Sequence, residues 1–281
     1  MELNKIYCGD SRNMDKIEDS CVHLTVTSPP YYVGKKYESY LATIEDYYQM
    51  LHDVFSEVAR ITVPGGKIVI NMGDIAVGSQ YNEGFPEEIQ VMHRITADLR
   101  TTDAYLYARY IWEKDDPWAN SSHVSFHNKL QHAEYRALPA WEYVFVYRKG
   151  KKARSDKSPA DGRWIDKHTQ WKKWVHGVWK IRSVQDNEYH EAMFPEELVR
   201  RCILMYSFDY DVVFDPFIGS GTTAVTAKKL NRKYLGYELS PKYVKMAEDR
   251  AALVLDATIA PSIECRRGDK TVNKELQDRL C

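Results

Sequence analysis

Val212-Val-Phe-Asp215-Pro-Phe217-Ile-Gly219-Ser-Gly221-Thr222-Thr223 is the stretch that decides the fold. Its three apolar residues, 212–214, read as a buried parallel strand running into Asp215-Pro216-Phe217. A helix is expected over residues 222–230, directly behind the two glycines. Gly219 and Gly221 let the backbone approach a ligand closely, and the helix end behind them offers N–H groups with no partner in the helix. The next strand, residues 234–237, ends in Glu238, 23 residues after Asp215. An acid in that place can accept hydrogen bonds from ribose hydroxyls. A lone Gly-x-Gly would make only a tight turn. Strand, helix and strand-end acid together read as a nucleoside-binding loop. The third glycine of the dinucleotide fingerprint and the Gly-Lys-Ser/Thr of a phosphate loop are both missing, so a nucleoside without phosphates fits better than a pyrophosphate.

Outward from this unit, further strands are expected at residues 5–8, 22–26, 67–70 and 141–147. The first runs into Gly9-Asp10, and the second into Thr27-Ser28-Pro29-Pro30-Tyr31. Helices are expected at 44–61, 195–206 and 241–255. The first carries Tyr47, Tyr48, Leu51, Val54, Phe55 and Val58 at helical spacing, with Pro64-Gly65-Gly66 to stop it. Alternating strands and helices predict an α/β fold, a Rossmann-like doubly wound and mostly parallel sheet. Residues 76–97 and 115–137 lack clean periodicity and read as loop insertions, and 261–281 as a polar, peripheral tail.

Ser28-Pro29-Pro30-Tyr31 is the most specific feature. Two prolines fix φ and remove N–H donors, giving a short rigid turn at a strand end. Such a turn can aim the Ser28 hydroxyl and the Pro29 carbonyl at one amino group, while Tyr31 supplies a flat face for stacking a base. Chemistry of this kind needs positioning more than a strong base.

These two motifs together resemble the amino-methylating DNA methyltransferases. Because the glycine loop follows the Ser-Pro-Pro-Tyr turn, the chain is similar to the circularly permuted beta class of bacterial and phage enzymes. The resemblance runs from Lys5 to Arg250. It implies an S-adenosylmethionine-dependent fold with an inserted target-recognition region, and methyl transfer to the exocyclic amino group of a flipped base. It implies that Asp10 hydrogen-bonds the cofactor adenine, that Phe194 and Pro195 pack on its methionine end, and that Glu238 takes the ribose. Asp215, Phe217, Gly219, Gly221 and Thr222 would complete the pocket. One departure is visible: His190-Glu-Ala-Met-Phe-Pro195 stands where many members read His-Pro-Ala-Pro-Phe-Pro. Ser at the head of the turn favours cytosine N4 as target, with adenine N6 the alternative and a catalytically silent DNA-binding homologue ranked below both. Cytosine C5 methylation needs a thiolate, and no Pro-Cys dipeptide occurs. Protein glutamine methylation would need no basic insertion.

The chain of 281 residues has a net charge of −1. Residues 148–180 nevertheless carry 11 Lys and Arg against 3 Asp, a local +8 that leaves −9 for the rest. Trp164, Trp171, Trp174 and Trp179 interleave with them. A polyanion is expected here, with Lys151, Lys152, Arg154, Arg163, Lys167, Lys172 and Lys173 as backbone contacts and the tryptophans mostly structural. The segment 115–136, with Asn120, His123, His127, Asn128 and Gln131, is a second candidate for base edges; its spacing suits no metal. Five scattered cysteines point to a reducing cytoplasm, and no apolar run is long enough to span a membrane. The expected organisation is a catalytic half at 1–147, a target-recognition insertion at 148–180, a cofactor half at 181–258 and a tail at 259–281. Double-stranded DNA is the expected partner, and a homodimer or a companion restriction endonuclease is compatible with the resemblance.

Overall fold

The computed structural model describes residues 1–32, 43–77, 87–114, 140–154, 170–183 and 194–254. In chain order these form β1 (Lys5–Cys8), β2 (Val22–Thr27), α1 (Ile44–Ile61), β3 (Thr62–Met72), β4 (Ile75–Val77), β5 (Glu87–Ile89) and α2 (Val91–Thr101). There follow β6 (Ala104–Glu113), β7 (Trp141–Lys149), α3 (Gln170–Trp174), β8 (Val178–Lys180) and α4 (Glu196–Tyr206). The last elements are β9 (Val212–Asp215), α5 (Thr222–Lys229), β10 (Lys233–Glu238) and α6 (Pro241–Ala252).

Eight strands make one sheet in the order β1-β10-β9-β2-β3-β7-β6-β8. Only β7 is reversed relative to its neighbour β3. It pairs antiparallel with both β3 and β6, and β8 runs parallel to β6. The amino-terminal strand β1 adds to the outer edge of the unit built by the last two strands. β4 and β5 form a separate small ribbon.

Helices cover both faces, so the sheet is the middle of three layers. On one face α1 and α2 bury Tyr47, Leu51, Val54, Phe55, Val58, Ile95 and Leu99 against Ile68, Ile70, Phe145 and Phe214. On the other, Leu198, Cys202 and Ile203 of α4, Ala224 and Ala227 of α5 and Ala247 of α6 close over Leu24, Val26, Val144, Val146 and Val213. Full burial of each Leu, Val or Phe contributes roughly 1.5–3 kcal/mol. The small residues of α5 and α6 let those helices approach the sheet and each other closely.

α1 starts where a reciprocal cap forms: Asp46 N–H donates to Thr43 Oγ1 at 3.1 Å, and Thr43 N–H donates to Asp46 Oδ2 at 2.9 Å. The helix passes straight into β3 instead of being stopped by Pro64-Gly65-Gly66. Val22 pairs with Thr62 but Leu24 with Lys67, so the Pro-Gly-Gly residues are looped out as a bulge inside the strand. Gly65, at φ +83°, makes that possible.

The loop expected at 76–97 is corrected. It contains β4, β5 and most of α2, with residues 78–86 outside the described set. β6 was not anticipated, because a bulge at Tyr107 breaks its alternation. The segment 115–136, with its Asn, Gln and His candidates, lies outside the described residues, as do Trp164 and the tail from 255.

The proposed boundaries of a separate 148–180 insertion are also cut by the sheet. Arg148 and Lys149 belong to β7, and β8 pairs with Ile111–Glu113 of β6. Trp174 and Trp179 are buried. Trp179 stacks on Tyr110 with centroids 4.4 Å apart and donates its indole N–H to Trp174 O at 2.8 Å. Trp112 Nε1 donates to Ile181 O at 2.7 Å. Trp171 is the exposed member of this group. Among the described residues no helix is long and apolar enough to cross a membrane.

Candidate active site

β9 and β2 are neighbours, and from them the chain builds outward in opposite directions: β10 and β1 on one side, β3, β7 and β6 on the other. A sheet reverses its winding at such a point, and loops leaving the carboxyl ends of the two strands flank a crevice. Those two loops are Ser28-Pro29-Pro30-Tyr31 after β2 and the glycine loop after β9.

They are tied together at their base. Thr27 Oγ1 donates to Asp215 Oδ1 at 2.7 Å, Phe217 N–H donates to the same oxygen at 3.0 Å, and Thr223 Oγ1 donates to Oδ2 at 2.8 Å. Asp215 is 3% exposed. Burial pushes its carboxyl up to about 6, against the opposing pull of the Thr27, Thr223 and Phe217 bonds and with the Glu238 charge adding to the rise. The Asp215 carboxylate faces inward as the joint between the two loops.

The glycine loop lies across β10. Gly219 (φ +50°) and Gly221 (φ +87°) take left-handed backbone. A Cβ on Gly221 would fall 2.6 Å from Ala247 Cβ, so the loop seats directly on α6. Gly221 precedes the first turn of α5, where Thr222 and Thr223 are buried. Phe217 is partly buried against the core cluster under α1.

Glu238, half-buried at the end of β10, accepts from Gly219 N–H at 3.1 Å through Oε2 and from Ser240 N–H at 2.8 Å through Oε1. A carboxylate has about four acceptor positions, so capacity for hydroxyl donors remains. Gly9 N–H donates to Glu238 O at 2.9 Å, which puts Asp10 on the adjoining strand end. Arg12 donates to both Asp10 oxygens, through its backbone N–H and Nε at 2.9 Å and through Nη2. Partial burial raises the Asp10 carboxyl, and the Arg12 bonds and charge outweigh it, for a net lowering. Phe194 is half-buried against the α4 face and Pro195 caps α4. Lys229 pairs with Glu196 at 2.8 Å and so ties α4 to α5.

In the second loop Ser28 and Pro30 are half-buried and Pro29 is buried. Pro30 O accepts from Tyr47 Oη at 2.8 Å. Tyr32 stacks on Tyr47, centroids 5.3 Å apart, and holds a left-handed φ of +52° that is strained for a bulky residue. Tyr31 is half-buried, and its ring lies beside Gly73 and Glu142: a Cβ on Gly73 would fall 3.7 Å from Tyr31 Cε1 and 3.3 Å from Glu142 Cγ. Burial first, then the Glu142 charge, holds that phenol far above its ordinary range. Beside it, just past the end of β3, burial and then the Glu88 charge raise the Asp74 carboxyl against an opposing pull from Tyr143.

Thr27, Tyr32, Tyr47, Gly73 and Glu142 thus join the candidate residues without having been singled out in the sequence. Thr27 was visible there as the residue before the turn and Tyr47 as part of the helical stripe, neither as a site residue.

Among the described basic residues of 148–180, Lys151, Lys152 and Arg154 do not stand at this crevice. Because β7 is reversed, Lys151 and Lys152 follow its end at the opposite edge of the sheet, beside the Lys67–Arg148 pair. The five-residue register from Met72–Tyr143 to Lys67–Arg148 spans roughly 17 Å. Arg154 is 11% exposed and gives both terminal nitrogens to Asp211, at 2.6 and 2.9 Å. Lys151 and Lys152 are exposed at the opposite edge. Lys172 and Lys173 are exposed on α3, while Arg163 and Lys167 lie outside the described residues.

Known proteins share both sequence and fold. Residues 22–249 match the DNA methylase family of N6 and N4 enzymes. The type II methyltransferase M.MjaI of Methanocaldococcus jannaschii is 31% identical, over 89% of this chain and 91% of its own. M.BglI of Bacillus subtilis is 28% identical over 88% and 85%. A chain of Thermus thermophilus, assigned as a DNA modification methylase and solved with S-adenosyl-L-methionine, superposes with a TM-score of 0.71 at 31% identity, covering 88% of this chain and 93% of that one. The cytosine-N4-specific PvuII DNA methyltransferase, at 23% identity and a TM-score of 0.68 over 91% and 88%, shares the fold. With the two loop motifs meeting at the switch point of the sheet and a family match over most of its length, the chain belongs to the DNA methylase family of N4 and N6 amino-methyltransferases.

Proposed function

We propose that this protein transfers a methyl group from S-adenosylmethionine to N4 of a cytosine turned out of duplex DNA. The observation that carries the reading is the Thr27–Asp215 hydrogen bond, which holds the Ser28 turn and the glycine loop side by side at one crevice. The donor set suits the cofactor. Glu238 keeps acceptor capacity for ribose hydroxyls, Asp10 offers a second acceptor on the neighbouring strand end, and Phe194, Phe217 and Ile218 are apolar. Bound there, S-adenosylmethionine would supply an electrophilic methyl group on sulfonium.

The residues of the chain do the rest by orientation. Ser28 Oγ and the Pro29 carbonyl accept the two amino protons, which turns the nitrogen lone pair out of conjugation and toward the methyl group. The departing amino proton passes to solvent. Tyr32, stacked on Tyr47, and Tyr31 bound the base on its flat sides. Lys172 and Lys173 are the described cations retained for phosphate contacts. Ser28, a weaker acceptor than a carboxylate, suits cytosine N4.

The test is methyl transfer from labelled S-adenosylmethionine to unmethylated DNA, followed by digestion to nucleosides and mass spectrometry. N4-methylcytosine is expected. N6-methyladenine would keep the site and remove the argument from Ser28 to the base, and no methylated nucleoside on any DNA would remove the proposal.

A further inference from the structure

Pro29 and Pro30 have no N–H, so neither can donate a hydrogen bond to hold the turn that carries Ser28. Their rings set φ, but the peptide plane after each one still turns about ψ. A chain segment of this kind needs an anchor from outside. On the far side of the turn the anchor is one side chain of α1.

Tyr47 Oη donates to Pro30 O at 2.8 Å. Its direction is settled, because a carbonyl oxygen has no proton to give. Met72 Sδ, 3.9 Å from the same hydroxyl, is the weaker and more distant acceptor. The bond to Pro30 O fixes the plane of the Pro30–Tyr31 peptide. On the other side of Tyr31, the Tyr32 ring stacks on the Tyr47 ring, with centroids 5.3 Å apart and planes 22° from parallel. Tyr32 holds a left-handed φ of +52° there, a conformation that a bulky residue keeps only where its surroundings impose it. Tyr47 thus grips the chain on both sides of Tyr31.

Tyr47 is itself firmly placed. It stands just behind the Thr43–Asp46 cap of α1, and its N–H donates to Thr43 O at 3.2 Å. It is 0% exposed and packs in one core cluster with Leu51, Met72 and Phe145. A side chain with no open surface cannot touch a substrate, so any effect it has on methyl transfer passes through the turn.

We infer that Tyr47 is a positioning residue: holding Pro30 with its hydroxyl and Tyr32 with its ring, it sets the backbone of the turn and so the aim of the Ser28 and Pro29 acceptors. The inference rests on the reading of the Ser28 turn given above.

The experiment compares Tyr47→Phe, Ser28→Ala, their double variant and Tyr147→Phe, each as the full chain, with labelled S-adenosylmethionine and unmethylated plasmid DNA. Tyr47→Phe keeps the ring and removes only the hydroxyl. Tyr147→Phe is the control. Tyr147 is buried in the same cluster, and its hydroxyl lies 2.7 Å from Thr96 Oγ1, so the variant also loses one hydrogen bond of the core. It stands opposite Ile68 in the body of β3, away from the turn. Tyr47→Phe is expected to lower kcat roughly 10- to 100-fold, with KM for DNA and the cofactor Kd from titration calorimetry within about twofold of wild type. Tyr147→Phe is expected to keep the wild-type kcat. The double variant is expected to lose less than the product of the two single losses, because both act through one turn. Wild-type kcat in Tyr47→Phe beside an impaired Ser28→Ala would overturn the inference and leave the turn in place. So would equal losses in the two Phe variants, fully multiplicative losses in the double variant, or weakened cofactor binding in Tyr47→Phe. Full turnover in Ser28→Ala would instead bring down the reading of the turn itself.

Discussion

The Thr27 hydroxyl donates to Asp215 Oδ1 at 2.7 Å across a sequence separation of 188 residues. Thr27 ends β2 and Asp215 ends β9, so one bond joins the strand that presents the Ser28 turn to the strand that presents the glycine loop. Because Asp215 is buried, losing a donor leaves part of a carboxylate unsatisfied. Thr27→Val, which keeps the shape, is expected to lower stability by about 1–3 kcal/mol and to slow methyl transfer. Thr226→Val, which removes only a bond to Thr222 O within α5, is the control in urea unfolding. Equal stability and equal rates in the two variants would show that the joint is idle.

The same carboxylate gives a pH signature. Its folded value is about 6, above the unfolded value of 3.8. The folded state thus holds this proton more tightly than the unfolded chain. Its stabilising effect is fully present below pH 3.8 and is lost as pH rises through about 6. By pH 7 the loss is on the order of 3 kcal/mol. Asp215→Asn cannot ionise, so its urea midpoint relative to wild type should shift upward between pH 4 and 7. Parallel profiles across that window would place the raised carboxyl elsewhere.

Gly221 offers a test of the loop seat. At φ +87°, with a built Cβ only 2.6 Å from Ala247 Cβ and 2.8 Å from its Cα, alanine meets strain and a backbone collision together. Gly221→Ala is expected to cost roughly 2–4 kcal/mol and to weaken cofactor binding, as α6 must retreat from the loop. Gly177, where a Cβ meets nothing within 4 Å, is the comparison. Thermal unfolding that treats the two substitutions alike would mean that α6 yields without resistance.

How far the sequence could be read follows from where each signal lies. β9, α5 and β10 were legible because one local unit carries its own strand, turn, helix and acid. α1 was legible because Tyr47, Leu51, Val54, Phe55 and Val58 form a strong apolar stripe. β6 was hidden by the bulge at Tyr107 and by its half-exposed tyrosines, which mimic neither a buried nor an alternating strand. The orientation of β7 was invisible, since nothing in Trp141–Lys149 reports direction. That one reversal carries Lys151 and Lys152 to the far edge of the sheet. Arg154 was misread for a related reason: its partner Asp211 is far away in sequence, and composition counts a paired guanidinium as free charge. Glu142 escaped notice because a lone acid opening a strand has no motif; only the fold sets it beside Tyr31.

The revised placement of positive charge separates two pairs of lysines that composition could not. Lys172 and Lys173 are exposed on α3, whereas Lys151 and Lys152 lie beyond the reversed end of β7, away from the crevice. If DNA enters at the Ser28 turn, Lys172→Glu with Lys173→Glu should weaken binding and reduce the slope of log affinity against log salt by about 2, near one for each phosphate that is no longer neutralised. Lys151→Glu with Lys152→Glu should leave both affinity and slope close to wild type. Arg154→Met should act on stability instead, since it strands Asp211, 7% exposed, without its bidentate partner. Fluorescence anisotropy of labelled duplex across a salt series distinguishes these outcomes. A flattened slope in the Lys151 and Lys152 variant would move the DNA path to the opposite edge of the sheet, where the Ser28 turn could not reach the base.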